Sequence, residues 1–370
     1  MAKSKLQQLS EQGQSVWVDS ISRTWLRDGT LDKLIREDAV VGVTSNPTIF
    51  QKALAEGDLY DDQLAEVARE ESDPAELFFH LAVTDVQEAL DVLRPSYDEG
   101  QGKDGYVSLE VDPTLAYDAE ATYRQAIRFH EWVDRPNLFV KIPATKPGLR
   151  AIEDCIAAGR SINVTLIFSL ERHAEVAEAY IRGLERLVAG GGDPTRVASV
   201  ASFFVSRVDT EADRRLEAIG TGEALALRGK LAVANAKLAY EHYQRTFAGE
   251  RWEFLVSKGA TPQRPLWAST STKNPDYPDT LYVDELIGPE TVNTMPLETI
   301  EAFQDHGTVA DSLVRDVDAA RALLDDLARV GVDYESVTDT LEAEGVQKFA
   351  DSFQELLEGI KAKVSQLQPA

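Results

Sequence analysis

The chain has 370 residues, with 63 Asp plus Glu against 38 Lys plus Arg and a formal net charge of −25. This charge argues against a general binder of nucleic acid or of anionic membranes, because both partners are polyanions. The composition, 43% hydrophobic, is that of a globular protein. The length suits one large α/β barrel as well as two domains, and we predict a single domain over residues 1–370.

Cysteine usage and the N-terminus indicate the compartment. Cys155 is the only cysteine, which excludes an intramolecular disulfide or a cluster built on cysteines. The N-terminal segment lacks the apolar centre of a signal peptide. The sequence contains no run of about 18 apolar residues, the length that would predict a membrane helix. These features predict a soluble, cytoplasmic protein with no membrane partner.

Eight short runs of apolar and β-branched residues follow one another along the chain, as is typical of parallel strands buried on both faces. The candidate strands cover residues 16–19, 40–44, 106–111, 138–142, 161–168, 197–204, 265–270 and 291–295. Amphipathic segments that predict helices lie among the later strands, at residues 119–133, 170–188, 208–217 and 222–247. Strands that alternate with helices predict βαβ units, and eight of them predict a (β/α)8 TIM barrel.

Two parts of the chain exceed a simple barrel. The interval between the second and third candidate strands is too long for one crossover and predicts extra helices, one of them at residues 74–93. Three more helical segments follow the eighth strand, at residues 297–303, 309–328 and 334–367. The last is longer than closing a barrel requires, so we expect a long C-terminal helix that packs across one end.

Polar residues recur at the carboxyl ends of the candidate strands, which is where barrel enzymes carry out their chemistry. Seven of the eight strands contribute: Asp19, Asn46, Glu110, Lys141, Asn163 with Thr165, Ser202 and Ser271. Each residue alone is also compatible with a strand edge or a helix cap. Together they predict an active site at that rim.

Lys141 lies between Val140 and Ile142 in a strand that should be buried. Lysine is rarely buried unless it is paired or used in chemistry. Burial favours the neutral amine, which can attack a carbonyl to form a Schiff base and so promote cleavage of the neighbouring C–C bond. The alternatives are a lysine that extends to solvent, or one that is paired with Glu110.

Two carboxylates and a basic cluster complete the predicted site. Asp19 and Glu110 would suit the proton transfers of imine formation and C–C cleavage, although both could simply neutralise Lys141. Basic and hydroxyl side chains follow the sixth and seventh strands: Arg207, Ser271 and Lys273. Late strands of a barrel often bind phosphate in this way, and an anionic substrate of so acidic a protein needs a locally basic pocket.

Several motifs, in order along the chain, resemble the transaldolase family. They are GQSVWVD (13–19), GVTSNPTIF (42–50), VSLEVDPTLAYD (107–118), NLFVKIPAT (137–145), INVTLIFS (162–169), SFFVSRVD (202–209), STSTKNP (269–275) and EGVQKFADSF (344–353). The resemblance covers essentially the whole chain and is greatest to the longer, actinobacterial members. It implies a class I aldolase-type barrel that needs no metal or organic cofactor.

The resemblance also implies a reaction and a role for each matched residue. The reaction transfers a dihydroxyacetone unit from sedoheptulose 7-phosphate to glyceraldehyde 3-phosphate, giving erythrose 4-phosphate and fructose 6-phosphate in the non-oxidative pentose phosphate pathway. Lys141 matches the Schiff-base lysine, Glu110 the acid/base that acts through a water held by Thr165, and Asp19 the base for the C4 hydroxyl. The predicted substrate site comprises Thr44, Asn46, Asn163, Ser202, Phe204, Arg207, Ser271 and Lys273.

One departure and two alternatives accompany this interpretation. The family often has arginine where this chain has Lys273, and lysine keeps the charge but loses the bidentate fork. A fructose 6-phosphate aldolase, which releases free dihydroxyacetone, would be shorter and would carry glutamine and tyrosine in place of Glu110 and Phe204. A non-catalytic sugar-phosphate-binding barrel would be expected to lose Lys141, Glu110 or Asp19, and the sequence keeps all three.

Metal chemistry is not favoured by the sequence. The five histidines fall in or beside helical segments and away from the candidate strand ends: His80, His130, His173, His242 and His306. We therefore predict no metal. The resemblance implies small sugar phosphates as the partners, and we expect a monomer or a homodimer.

Overall fold

The computed structural model describes residues 3–55 and 57–367. Eight parallel strands form a closed barrel in which each strand pairs with the next one along the chain, and the eighth pairs with the first. The strands are β1 (Gln14–Val18), β2 (Val40–Val43), β3 (Tyr106–Glu110), β4 (Leu138–Pro143), β5 (Ile162–Ile167), β6 (Ser199–Phe204), β7 (Arg264–Ala268) and β8 (Thr291–Met295). All eight coincide with candidate strands, so the predicted TIM barrel is confirmed.

Helices surround the barrel. They are α1 (Lys5–Glu11), α2 (Arg23–Asp28), α3 (Thr30–Asp38), α4 (Pro47–Ala55), α5 (Asp61–Val67), α6 (Pro74–Glu99), α7 (Ala119–Val133), α8 (Lys146–Ala157), α9 (Leu170–Ala189), α10 (Ser206–Ile219), α11 (Gly222–Leu225), α12 (Leu231–Thr246), α13 (Glu250–Ser257), α14 (Leu281–Asp284), α15 (Leu297–His306), α16 (Val317–Val330) and α17 (Tyr334–Leu367). Among the described residues, no helix combines the length and the apolar character that crossing a bilayer requires.

The extra helices predicted between β2 and β3 are α4, α5 and α6. Helix α6 begins after Asp73, whose side chain accepts a hydrogen bond from the Ala75 N–H at 2.9 Å. It continues past Pro95 to Glu99, beyond the predicted end at residue 93. A proline this close to the end of a helix removes a single backbone hydrogen bond, which the preceding turns outweigh.

The predicted single helix at residues 222–247 is wrong, because the chain forms two helices, α11 and α12, with a break at residues 226–230. Within the break Gly229 has a φ of 69°, which a helix cannot contain. The Gly229 N–H donates to Asp213 at 2.9 Å, and the Ala232 N–H donates to Asp209 at 2.7 Å. Both carboxylates lie on α10, so the groups that stabilise the break are distant in sequence.

The helix predicted at residues 309–328 begins only at Val317. The residues before it run against the segment that follows α14 instead. The Leu313 N–H donates to the carbonyl of Ile287 at 3.0 Å, and the Ser312 hydroxyl donates to the carbonyl of Asp284 at 2.6 Å. Hydrogen bonds to a distant segment thus replace the expected helical turns.

The long C-terminal helix α17 spans Tyr334–Leu367, as predicted. It contacts α4 and α10, which begin directly after β2 and β6, and it also contacts α6. It therefore crosses the C-terminal end of the barrel. Its buried face brings Phe349 to the mouth of the barrel.

Aromatic side chains fill the lower part of the barrel. The Trp17 ring centroid lies 6.0 Å from that of Phe139, which stacks on Tyr106 at 4.0 Å. Gly42 on β2 leaves room for this packing, since a Cβ atom there would lie 2.5 Å from the Trp17 ring. Further along the same strands, toward their C-terminal ends, lie Glu110 on β3 and Lys141 on β4.

Candidate active site

A cavity of about 520 Å³ opens at the C-terminal end of the barrel. Ten of the twelve site residues predicted from the sequence line it: Asp19, Thr44, Asn46, Lys141, Thr165, Ser202, Phe204, Arg207, Ser271 and Lys273. The other two, Glu110 and Asn163, lie directly behind the wall, where they contact Lys141 and Ser202 respectively. The structure therefore brings all twelve to one place.

Strand register sets the centre of the site. Glu110 on β3 pairs with Lys141 on β4, and Lys141 pairs with Asn163 on β5. Paired residues on neighbouring parallel strands point to the same face, so the three side chains enter the barrel at one level. Lys141 is only 5% exposed, so it does not extend to solvent. Its Nζ donates to the carbonyl of Ser45 at 3.0 Å.

Glu110 is buried beside the lysine. Its Oε2 lies 3.5 Å from Lys141 Nζ, so the ion pair considered from the sequence is present. Burial raises the pKa of Glu110 to about 7. The positive charge of Lys141 lowers this pKa, and the negative charge of Asp19 raises it further. Among the described residues, neither Glu110 oxygen nor Thr165 Oγ1 has a hydrogen-bond partner. Buried groups of this kind usually have partners, so Glu110 Oε1 and Thr165 Oγ1, which lie outside the ion pair, can accept a hydrogen bond from a ligand or a water.

Asp19 occupies a different environment, half-buried at the pocket wall. The Thr44 hydroxyl donates to Asp19 Oδ1 at 2.6 Å, and Thr44 Oγ1 lies 2.6 Å from Thr294 Oγ1 on β8. Burial raises the pKa of Asp19, and the positive charge of Lys141 opposes this most strongly. The two carboxylates thus differ in exposure and in hydrogen bonding, which is the condition for dividing acid and base roles between them.

Amide and hydroxyl groups form the wall beside Lys141. Asn163 is engaged at both ends of its amide, because Nδ2 donates to Ser108 Oγ at 3.0 Å and Oδ1 accepts from the Ser202 hydroxyl at 2.7 Å. Asn163 therefore orients Ser202, which itself faces the cavity. Asn46 uses its Oδ1 to accept from the Ile49 N–H at 3.1 Å, which leaves its NH₂ group for a ligand.

A basic cluster forms the other end of the cavity. Arg207 lies in the first turn of α10, with its Cζ 5.1 Å from the Phe204 ring centroid and 6.0 Å from that of Phe349. The Lys273 ammonium donates to Ser271 Oγ at 2.6 Å. Burial lowers the pKa of Arg207, and the carboxylates of the site oppose this shift. Arginine, lysine and serine together can bind an anionic group with charge and hydrogen bonds.

Several residues of the site were not singled out from the sequence. They are Ser45, Ser108, Thr294 and Phe349, which support Lys141, Asn163, Thr44 and Arg207 respectively. Ser45, Ser108 and Phe349 lie within the quoted motifs, and membership of a motif was the one signal that pointed to them. Thr294 lies in the eighth strand, the one strand for which no polar end was predicted.

The histidines and the cysteine lie on helices, away from Lys141. The ring of His173, on α9, packs 5.7 Å from that of Phe203 and 5.8 Å from that of His242. Cys155 is buried in α8, as expected of a small core residue. Among residues 3–55 and 57–367, no three His, Cys, Asp or Glu side chains converge as a metal site would.

A buried lysine between carboxylates, at the C-terminal end of a (β/α)8 barrel and beside a basic cluster, defines a class of site suited to carbonyl chemistry on anionic substrates. The chain belongs to the transaldolase/fructose-6-phosphate aldolase family, whose model matches residues 16–360.

Named relatives agree with this family. The chain is 54% identical over 360 residues to a transaldolase of Parafrankia sp., covering 97% of this chain and 98% of that one. It is 56% identical over 352 residues to a transaldolase of Acidothermus cellulolyticus, covering 95% and 94%. With a transaldolase of Thermobifida fusca the identity is 54% over 363 residues, covering 98% and 99%. The predicted resemblance to actinobacterial members is confirmed.

Proposed function

We propose that the protein catalyses the transaldolase reaction. It transfers a dihydroxyacetone unit from sedoheptulose 7-phosphate to glyceraldehyde 3-phosphate, and the products are erythrose 4-phosphate and fructose 6-phosphate. The observation that carries the proposal is Lys141, buried in the barrel between Glu110 and the cavity, with Asp19 at the end of β1 lining the same cavity. The relatives named transaldolase favour transfer over simple cleavage.

The first step is imine formation. The Lys141 amine attacks C2 of the ketose phosphate, and the resulting carbinolamine loses its hydroxyl group as water. Glu110 supplies the proton for this loss through a water that Thr165 also binds. The raised pKa of Glu110, about 7, makes its protonated form available near neutral pH.

The second step is cleavage. Asp19 takes the proton of the C4 hydroxyl, the C3–C4 bond breaks, and its electrons move toward the iminium nitrogen of Lys141 to give an enamine. The aldose, erythrose 4-phosphate, then leaves. The hydrogen bond from Thr44 at 2.6 Å orients the Asp19 carboxylate for this role.

The third step is transfer. Ser202 and Asn46 hold the hydroxyl groups of the three-carbon enamine until glyceraldehyde 3-phosphate enters, and C–C bond formation reverses the cleavage. Hydrolysis of the new imine releases fructose 6-phosphate. The phosphate of each sugar binds at the basic cluster of Arg207, Ser271 and Lys273, which lines the same cavity as Lys141.

A fructose 6-phosphate aldolase is the second candidate, because it belongs to the same family. Glu110 and Phe204 favour the transaldolase, since the aldolase type is expected to carry glutamine and tyrosine there. The two activities separate in one assay: an aldolase releases dihydroxyacetone from fructose 6-phosphate without an acceptor, whereas a transaldolase holds it until an acceptor arrives.

Borohydride trapping with fructose 6-phosphate tests the proposal directly. The expected result is a reduced dihydroxyacetone adduct on Lys141, found by intact mass and peptide mapping, and its absence from Lys141→Arg. Addition of erythrose 4-phosphate before borohydride should remove the adduct and yield sedoheptulose 7-phosphate. Folded protein that forms no adduct, while a control aldolase does, contradicts the proposal.

We place the enzyme in the cytoplasm, because pentose phosphates are made and consumed there, and we expect a monomer or a homodimer. Light scattering of the purified protein tests the second expectation.

A further inference from the structure

The basic cluster is assembled from two separate pieces of the chain. Arg207 lies on α10, whereas Ser271 and Lys273 lie on the connection between β7 and α14. We call residues 269–280 of this connection the phosphate loop. Because the loop contains no regular helix or strand, its position against α10 depends on specific contacts.

Three pairs of side chains tie this connection, and the helix that follows it, to α10. At its start, Ser206 and Ser269 place their Oγ atoms 2.8 Å apart. Within the loop, the Tyr277 hydroxyl donates to Asp213 Oδ2 at 2.6 Å. The remaining pair lies just beyond the loop.

Tyr282, on α14, forms that pair, because its hydroxyl donates to Asp209 Oδ2 at 2.9 Å. The two acceptors, Asp209 and Asp213, are one helical turn apart on α10 and therefore face the same side.

The two aspartates are held from their other side as well. Asp213 Oδ1 accepts from the Gly229 N–H at 2.9 Å, and Asp209 Oδ1 accepts from the Ala232 N–H at 2.7 Å. The Tyr277 ring packs on Gly229, since a Cβ atom there would lie 2.7 Å from the ring. The break between α11 and α12 thus fixes both carboxylates, and each carboxylate has one oxygen left for a tyrosine.

We propose that the Tyr277–Asp213 and Tyr282–Asp209 hydrogen bonds position the phosphate loop against α10 and thereby set the affinity for the phosphate end of the sugar. The proposal rests on the proposed function only in treating the basic cluster as the phosphate site. Tyr277 and Tyr282 are positioning residues. Lys141 lies on β4 and makes no hydrogen bond to the loop among the described residues, so its chemistry should not depend on them.

The experiment compares a ligand with phosphate and one without. Wild-type protein, Tyr277→Phe and Tyr282→Phe are trapped with borohydride over a range of fructose 6-phosphate or dihydroxyacetone concentrations. Tyr240→Phe is the matched control, because that buried hydroxyl donates to the carbonyl of Pro289 at 3.1 Å, away from the loop. Tyr277 is half-buried and its substitution removes one oxygen atom, so this variant should fold even if Tyr282→Phe does not.

The expected result is selective. Tyr277→Phe should raise the half-saturating concentration of fructose 6-phosphate at least about fivefold and change that of dihydroxyacetone less than about twofold. Equal loss for both ligands, no loss for either, or the same loss in Tyr240→Phe would overturn the inference.

Binding of inorganic phosphate, measured by calorimetry, separates this inference from the proposed function. Weaker phosphate binding by Tyr277→Phe than by wild type supports the positioning role even if wild-type protein forms no adduct with either carbonyl compound. The absence of an adduct in wild-type protein would overturn the transaldolase proposal alone. Equal phosphate binding by the two proteins would overturn the positioning role.

Discussion

The two ends of the cavity are built in different ways. At the lysine end, Glu110, Lys141 and Asn163 lie within consecutive strands, and backbone pairing sets their relative positions. At the phosphate end, Arg207 lies on a helix and Lys273 on a loop, and one backbone hydrogen bond, from the Ser206 N–H to the Ser269 carbonyl, joins the two segments together with the side-chain hydrogen bonds. Many backbone hydrogen bonds must break before the first arrangement shifts, whereas a few, mostly side-chain, contacts determine the second.

The two ends also differ in their access to solvent. Glu110 and Lys141 are each 5% exposed, while Lys273 is exposed and Arg207 half-buried. A dry, rigid region suits proton transfers that depend on shifted pKa values, and an open region suits the entry and exit of a charged group. Substitutions at the lysine end should therefore change rates, and those at the phosphate end should change affinities.

Replacing the lysine should have the largest effect. Lys141→Arg keeps a positive charge next to Glu110, but a guanidinium does not lose its proton in proteins and cannot form the imine. We expect turnover of sedoheptulose 7-phosphate with glyceraldehyde 3-phosphate to fall by at least about a thousandfold. Circular dichroism should show an unchanged fold. A variant that keeps a tenth of the wild-type rate would exclude the Schiff-base role.

Replacing each of the two carboxylates should slow a different step of the reaction. Glu110→Gln should slow imine formation and Asp19→Asn should slow C–C cleavage, each by about a hundredfold or more. Single-turnover experiments with fructose 6-phosphate distinguish the steps, because trapped imine retains six carbons before cleavage and three after it. If both variants accumulate the same species, the proposed division of roles is wrong.

The pH dependence of imine formation should identify Glu110. Because its pKa is raised to about 7 and the protonated form supplies the proton, the rate constant should fall as pH rises through about 7. The fall should be absent from Glu110→Gln. The raised pKa also makes the stability of the fold depend on pH. The contribution of Glu110 to the free energy of unfolding is fully present below pH 4.5, the ordinary pKa of the group, and is lost as the pH rises through about 7. Denaturant titrations of both proteins across this range check the second statement.

The sequence predicts the lysine end well because that end depends on local patterns. Each strand is an apolar run, and a charged residue such as Lys141 within such a run is visible without any knowledge of the fold. Once eight strands are counted, barrel closure places their carboxyl ends on one rim. The register itself, which puts Asn163 behind Ser202 rather than at the cavity surface, required the structure.

The phosphate end was harder to predict because its contacts are distant in sequence. The hydrophobic pattern continues through residues 222–247, yet Asp209 and Asp213 stabilise a break within them. Likewise, the Phe349 ring packs near the Arg207 guanidinium, although Phe349 lies on a helix 142 residues further along the chain. Periodicity describes one element at a time, so it misses contacts that only the assembled barrel creates.

Arg207 should determine affinity more than rate. Its planar guanidinium can donate two hydrogen bonds to phosphate and packs near Phe204 and Phe349, whereas lysine provides one point charge and loses this packing. We expect Arg207→Lys to raise KM for phosphorylated substrates by about tenfold to a hundredfold and to change kcat less than about threefold. Trapping with dihydroxyacetone is the control. A large fall in kcat at saturating substrate would mean that Arg207 acts at the lysine end as well.

Lys273→Arg should have the smallest effect, and it tests how loosely the phosphate end is specified. Lys273 is exposed, so water screens its charge, and its ammonium already interacts with Ser271 Oγ at 2.6 Å. Arginine would add a second donor without changing the charge. We therefore expect KM for fructose 6-phosphate to stay within about threefold of the wild-type value and kcat to be unchanged. A tenfold change in either direction would mean that this exposed position is as tightly constrained as the strand-borne residues around Lys141.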